Sequence, residues 1–133
     1  MRVLIVEDDE RRMVYFDAWF ANDNMDWAPT AEEGIELLKQ NDDYDLVCLD
    51  HDLAATHYAD LEHSATTAEG TGRDVADYLA KAVTENKPFV IVHSWNPHGA
   101  AAMRDTLKAA GFWVIQRPFG SIIEVLIKQV RKR

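Results

Sequence analysis

Among 133 residues the chain holds one cysteine, Cys48. A lone cysteine excludes an internal disulfide framework and a multi-cysteine zinc site. It sits in an apolar run and reads as a small core residue. Bases are also scarce: 14 Lys and Arg stand against 23 Asp and Glu, a formal charge of −9. Duplex nucleic acid and anionic membranes both need a basic face, so neither is an expected partner. No apolar stretch approaches the ~18 residues that cross a bilayer, and the opening run Met1–Val6 is too short for a signal segment. The expectation is a soluble, cytoplasmic protein. No linker or internal repeat divides it, so residues 1–133 are read as one domain. A hydrophobic content of 47% and a charged content of 28% exclude disorder.

What is present is an alternation of short apolar runs with helical periodicity. Arg2–Val6 is a β-branched run ended by acids. Met13, Phe16, Trp19 and Phe20 then recur at helical spacing over 11–21. A weak strand spans Met25–Ala28, and Thr30-Ala31-Glu32-Glu33 forms a capping box before a second helix. Asp45–Leu49 is the third strand; Val75, Tyr78, Leu79 and Val83 mark a helix opened near Thr71-Gly72. Phe89–Val92 is a strand, and Asn96-Pro97 is an N-cap with proline at the first helical position. After the stop at Gly111 comes a fifth strand, Phe112–Ile115, and Ser121–Glu124 reads as a second capping box. Five βα units predict an α/β fold with a parallel sheet covered on both faces.

Ligands in such folds bind beyond the carboxyl ends of the strands. Four of those ends carry polar residues: Asp8 and Asp9; Asp50, His51 and Asp52; His93, Ser94 and Asn96; and Arg117. Asp8, Asp9 and Asp50 would converge across adjacent strands. Clustered carboxylates cannot all stay ionised without a cation, and all-oxygen ligands suit Mg²⁺ or Mn²⁺. The plainer reading leaves these acids solvated, with Asp9 capping the first helix. His51 and His93 are candidates for general acid or base, whereas His57, His63 and His98 read as solvated. Ser94 could donate to a phosphate oxygen. Asn96 caps a helix or contacts ligand. Arg117 offers a forked donor to phosphate or to the acids, unless it is only a surface arginine. The stretch 53–72 is long for a connection, holds no Lys or Arg, and reads as a lid.

Charge is split along the chain. Residues 1–85 carry 21 acids and 6 bases, and residues 86–133 carry 2 acids and 8 bases. The two halves are expected to meet over one site.

Val3–Asp9 resembles the first strand and Mg²⁺-binding acidic pair of response-regulator receiver domains. Asp45–Asp50 resembles the strand bearing their phosphoacceptor aspartate, Ser94 the hydroxyl residue after strand four, and Arg117-Pro118-Phe119 the lysine-proline-phenylalanine motif with Arg for Lys. The departures are His51-Asp52-Leu53 where Met-Pro usually follows the acceptor, Val114 at the aromatic switch position, and the added segment 53–72. A divergent branch is more similar, the cyclic-phosphate-processing receiver-like family. Its pattern resembles Leu49–Leu53, Thr71–Val75 and Val92–Met103, the last block being long and unusual.

The resemblance implies a flavodoxin-like (βα)5 three-layer sandwich with strand order 2-1-3-4-5. It implies a Mg²⁺ or Mn²⁺ pocket held by Asp8, Asp9 and Asp50 that processes a phosphoester, with a cyclic phosphate as candidate substrate. Asp50 could serve instead as nucleophile, with Asp52 orienting His51, His51 or His93 moving a proton, and Ser94 and Arg117 stabilising phosphoryl charge. Two rival expectations stand beside it. One is a stand-alone regulator phosphorylated on Asp50 by a phosphodonor, signalling through a protein partner. The other is a catalytically silent interaction module.

Overall fold

In the computed structural model, which describes residues 1–51, 71–82 and 85–132, the apolar runs form one parallel sheet. Its strands are β1 (Arg2–Val6), β2 (Asn24–Ala28), β3 (Leu46–Leu49), β4 (Phe89–His93) and β5 (Val114–Arg117). Their order is β2-β1-β3-β4-β5, as the resemblance implied. Five helices alternate with them among the described residues: α1 (Glu10–Trp19), α2 (Ala31–Gln40), α3 (Gly72–Lys81), α4 (Pro97–Ala109) and α5 (Ser121–Arg131).

Side chains alternate across a strand, so each strand feeds two layers. Leu4, Val6, Val47, Leu49, Val90 and Val92 face α2, α3 and α4, packing on Ala31, Val75, Leu79, Met103 and Leu107. Val3, Ile5, Leu46, Cys48 and Ile91 face α1 and α5, packing on Met13, Phe16, Phe20, Ile123 and Ile127. This is the expected three-layer sandwich. Cys48 is fully buried, and that burial pushes its thiol pKa well up, so it behaves as a core residue. No described helix is long and apolar enough to cross a membrane.

Local chemistry explains most boundaries. The Thr30 hydroxyl accepts from Glu33 N–H to open α2. Thr71 and Asp74 cap α3 reciprocally. Asn96 caps α4, followed by Pro97 at its first position. Two expectations need correction. The fifth strand begins at Val114 because Phe112 N–H closes α4 on Leu107 O at 3.0 Å, through a left-handed Gly111 with φ 93°. The Ser121 capping box does not form: Gly120 is the N-cap, Ser121 is the first helical residue, and no side chain caps α5. Val83 and most of the 53–72 segment, with the lid reading attached to it, lie outside the described residues.

Candidate metal and phosphate site

The register brings the strand ends level. Val6 pairs with Leu49, Leu49 with Val92, and His93 with Arg117. The residues just after Val6 and Leu49 therefore emerge side by side. Glu7 N–H still donates to Ala28 O, and Asp50 N–H to Val6 O at 3.0 Å, so both are held as extensions of the sheet.

Glu7, Asp8 and Asp50 each place a carboxylate oxygen within 4.8 Å of the others. Asp8 and Asp50 are two of the three acids expected; the third is Glu7. Asp9 instead is the N-cap of α1, accepting from Arg11 N–H at 2.8 Å. The Arg11 side chain reinforces that contact and holds the Asp9 carboxyl below its ordinary pKa.

Glu7 is fully buried. Burial alone would raise its pKa, but its hydrogen bond to His93, the charge interactions with His93 and Arg12, and the Asp9 N–H together leave it lowered. His93 Nε2 stands 3.0 Å from Glu7 Oε1. His93 is itself fully buried, against Phe16 and Phe119, and its Nδ1 has no hydrogen-bond partner among the described residues.

Arg12, from the first turn of α1, bridges the acids. Its Nη1 lies 3.2 Å from Glu7 Oε1 and 3.4 Å from Asp50 Oδ2. Its guanidinium also rests 5.2 Å above the Phe119 ring. Arg12 thus occupies the place expected of Arg117. Arg117 is exposed, and its Nη1 donates to the Gln116 carbonyl.

His51 is clamped beside Asp50. Gly72 N–H donates to His51 O at 3.0 Å, and a Cβ on Gly72 would fall 1.9 Å from the Asp50 carbonyl oxygen. Only glycine allows that approach. Gly99 presses on the other side: a Cβ there would sit 2.5 Å from the His51 ring. Asn96 Nδ2 lies 3.4 Å from His51 Nδ1, and Ser94 Oγ accepts from Asn96 N–H at 3.1 Å. Ser94 is nearly buried at the end of β4. Asp52 lies outside the described residues.

Among the described residues Arg12 bridges Glu7 and Asp50, with Asp8 beside them, and the donors are hard oxygens from two strand ends. That set fits a small divalent cation. Glu7 and Arg12 escaped the sequence reading, although a signal existed for Glu7. It shares strand parity with Val3 and Ile5, as His93 does with Phe89 and Ile91, so both point into the α1/α5 layer.

Solved structures share the fold. A CheY-like receiver domain from Methylobacillus flagellatus aligns with TM-score 0.64 at 13% identity, over 98% of each chain. The receiver domain of a putative LuxO repressor protein from Vibrio parahaemolyticus aligns with TM-score 0.66 at 18% identity, over 99% of this chain and 90% of that one. A response regulator from Thermotoga maritima, solved with Mg²⁺-BeF, aligns with TM-score 0.62 at 19% identity, over 97% of each. No curated protein sequence matches the chain. The family model of the cyclic-phosphate processing receiver domain matches residues 3–109, a span that includes the acids, the His51 clamp and the Asn96 cap. With that match over well more than half its length, the chain belongs to the cyclic-phosphate processing receiver domain family.

Proposed function

We propose that the chain binds Mg²⁺ or Mn²⁺ through Glu7, Asp8 and Asp50 and uses it to hold and hydrolyse a phosphoester, a cyclic phosphate foremost. The observation that carries this reading is the gathering of three carboxylate oxygens within 4.8 Å, with His51 clamped beside them. Such acids repel one another, and a hard cation relieves the repulsion while accepting a phosphate oxygen. The bound cation would supply charge neutralisation at the phosphorus and a more acidic water. His51 is the imidazole that meets the phosphate. Ser94 and Arg117 end neighbouring strands and offer donors to its oxygens. His93, buried against Glu7, acts on the substrate only through that acid. The family's description as cyclic-phosphate processing supports the substrate class.

The test is incubation with Mg²⁺ and a panel of acetyl phosphate, 2′,3′-cyclic nucleotides and cyclic dinucleotides. The expected result is turnover of a cyclic phosphate that disappears in Asp50→Asn. A stable mass gain on Asp50 from acetyl phosphate, with no turnover, would overturn it. That result would establish the second reading, a phosphorylatable receiver with a protein partner, which the likeness to response-regulator receivers favours.

A further inference from the structure

We propose that the exposed indole of Trp27 is a stacking platform for a nucleobase, so that the phosphate compound taken by this site is a nucleotide. The phosphate end of that ligand rests on the proposed function; the base end rests on Trp27. Two of the four tryptophans pack on other rings, Trp19 on Phe16 and Trp113 on Phe89. The other two, Trp27 and Trp95, are 41% and 65% exposed. Both stand at the carboxyl end of the sheet, where the acids are: Trp27 near the end of β2 and Trp95 just after β4. An exposed indole alone is ordinary. What singles out Trp27 is how it is held.

Trp27 lies on the edge strand β2, paired with Ile5 of β1, and shares the side of the sheet that Ile5 faces. Its Nε1–H donates to the Glu7 carbonyl at 2.6 Å. That carbonyl belongs to the peptide joining Glu7 to Asp8, two of the three acids of the cation site. The ring is thereby fixed against the backbone of the site rather than left to turn in solvent. Its single polar atom is committed to that bond, so the exposed part is π-face and carbon edge alone. Such a surface offers a phosphate or a hydroxyl no hydrogen bond. It takes a flat ring by stacking, whichever base that ring is. The spacing suits one nucleoside. Neighbouring strands stand about 4.8 Å apart, so the end of β2 is about 5–10 Å from the ends of β1 and β3, a distance that one sugar bridges between phosphate and base. Trp27 is thus a substrate-binding residue that reads the presence of a base.

The test is calorimetric binding to the full chain in Mg²⁺, with adenosine 5′-monophosphate, uridine 5′-monophosphate and ribose 5-phosphate as probes. All three carry sugar and phosphate, and only the first two carry a base. The wild type is expected to bind both nucleotides about tenfold or more tighter than ribose 5-phosphate. Trp27→Ala should abolish that difference, leave ribose 5-phosphate binding unchanged and lessen the tryptophan fluorescence quenching that the nucleotides cause. Trp27→Phe, which keeps an aromatic face, should retain most of the difference. Should Trp27→Ala fold poorly, Trp27→Leu keeps the bulk without the ring and is expected to lose the difference too. Nucleotides bound by the wild type no tighter than ribose 5-phosphate overturn the platform and leave the phosphate site standing. A base preference that survives Trp27→Ala, or that disappears only in Trp95→Ala, does the same. Ribose 5-phosphate affinity falling in step with that of the nucleotides in Trp27→Ala makes Trp27 a support for the acids and overturns the platform. Nucleotides that bind and quench through Trp27 while ribose 5-phosphate and inorganic phosphate do not bind at all overturn the proposed function and uphold the platform. No binding of any probe overturns both.

Discussion

Two glycines decide where His51 and Asp50 sit. At Gly72 an added methyl would meet the Asp50 carbonyl, a backbone atom that cannot step aside. Gly72→Ala is therefore expected to cost about 3 kcal/mol or more in urea denaturation, above the usual overpacking range. Gly120→Ala, with nothing within 4 Å of its Cβ, should change stability by less than about 0.5 kcal/mol. Near-equal costs at the two positions would refute the close approach. The buried Glu7–His93 pair makes a second prediction at this scale. His93→Leu leaves a buried carboxylate without its 3.0 Å partner and should cost about 3 kcal/mol, measured by the same denaturation. Sequence alone revealed the polar character of these positions. It did not reveal the pairing, which needed strand parity carried one residue past β1 and to the last residue of β4. The acid choice slipped by one residue for the same reason. Glu7, Asp8 and Asp9 look alike as a run, but Glu7 lies in the buried layer and Asp9 turns to cap a helix.

The elements were legible wherever a hydroxyl or proline marked the boundary. Thr30, Asn96 and Pro97 begin helices as their chemistry dictates. The misplaced boundaries were those set by backbone hydrogen bonds that no side chain advertises. Phe112 looks like a strand residue, yet its N–H is committed to Leu107 O, so β5 starts at Val114. Ser121 has the right spacing to Glu124 for a capping box but enters the helix one residue late. The contrast gives a prediction. Thr71→Ala removes a formed capping box and should destabilise the chain by about 1 kcal/mol, whereas Ser121→Ala should cost less than about 0.5 kcal/mol. A larger loss at Ser121 than at Thr71, read from chemical denaturation midpoints, would contradict these cap assignments.

Across the whole molecule, acids of the first half meet basic or imidazole side chains of the second, among the described residues, at Asp23 and at Glu7. The C-terminal helix is tied to the α1–β2 connection by Arg131 on Asp23, with Nη1 to Oδ1 at 2.9 Å. The Arg131 guanidinium is the main reason that Asp23 is held at about 2, against an ordinary 3.8. A depressed carboxylate pKa contributes stability that is present above the unfolded value and lost as pH falls through the folded one. Asp23→Asn should therefore cost about 1–2 kcal/mol at neutral pH, the partly exposed Arg131 reducing the full shift. The gap to wild type should close between pH 4 and pH 2, measured by thermal melts across that window. A gap constant with pH would remove the ion pair from the account. The second meeting point is the site, where His93 from the basic half reaches Glu7. There the base that engages the acids is Arg12 of the acidic half, while Arg117 bonds its neighbour's carbonyl. Everything proposed for the site rests on Glu7, Asp8 and Asp50 holding one cation at the ends of β1 and β3. Calorimetric titration of Mg²⁺ or Mn²⁺ into Glu7→Gln, Asp50→Asn and Asp9→Asn tests it most directly, since Asn keeps the α1 cap that Asp9 provides. Affinity should fall at least about tenfold in Glu7→Gln and Asp50→Asn and stay unchanged in Asp9→Asn; affinity lost in Asp9→Asn and kept in Glu7→Gln would move the cation off Glu7 and onto Asp9.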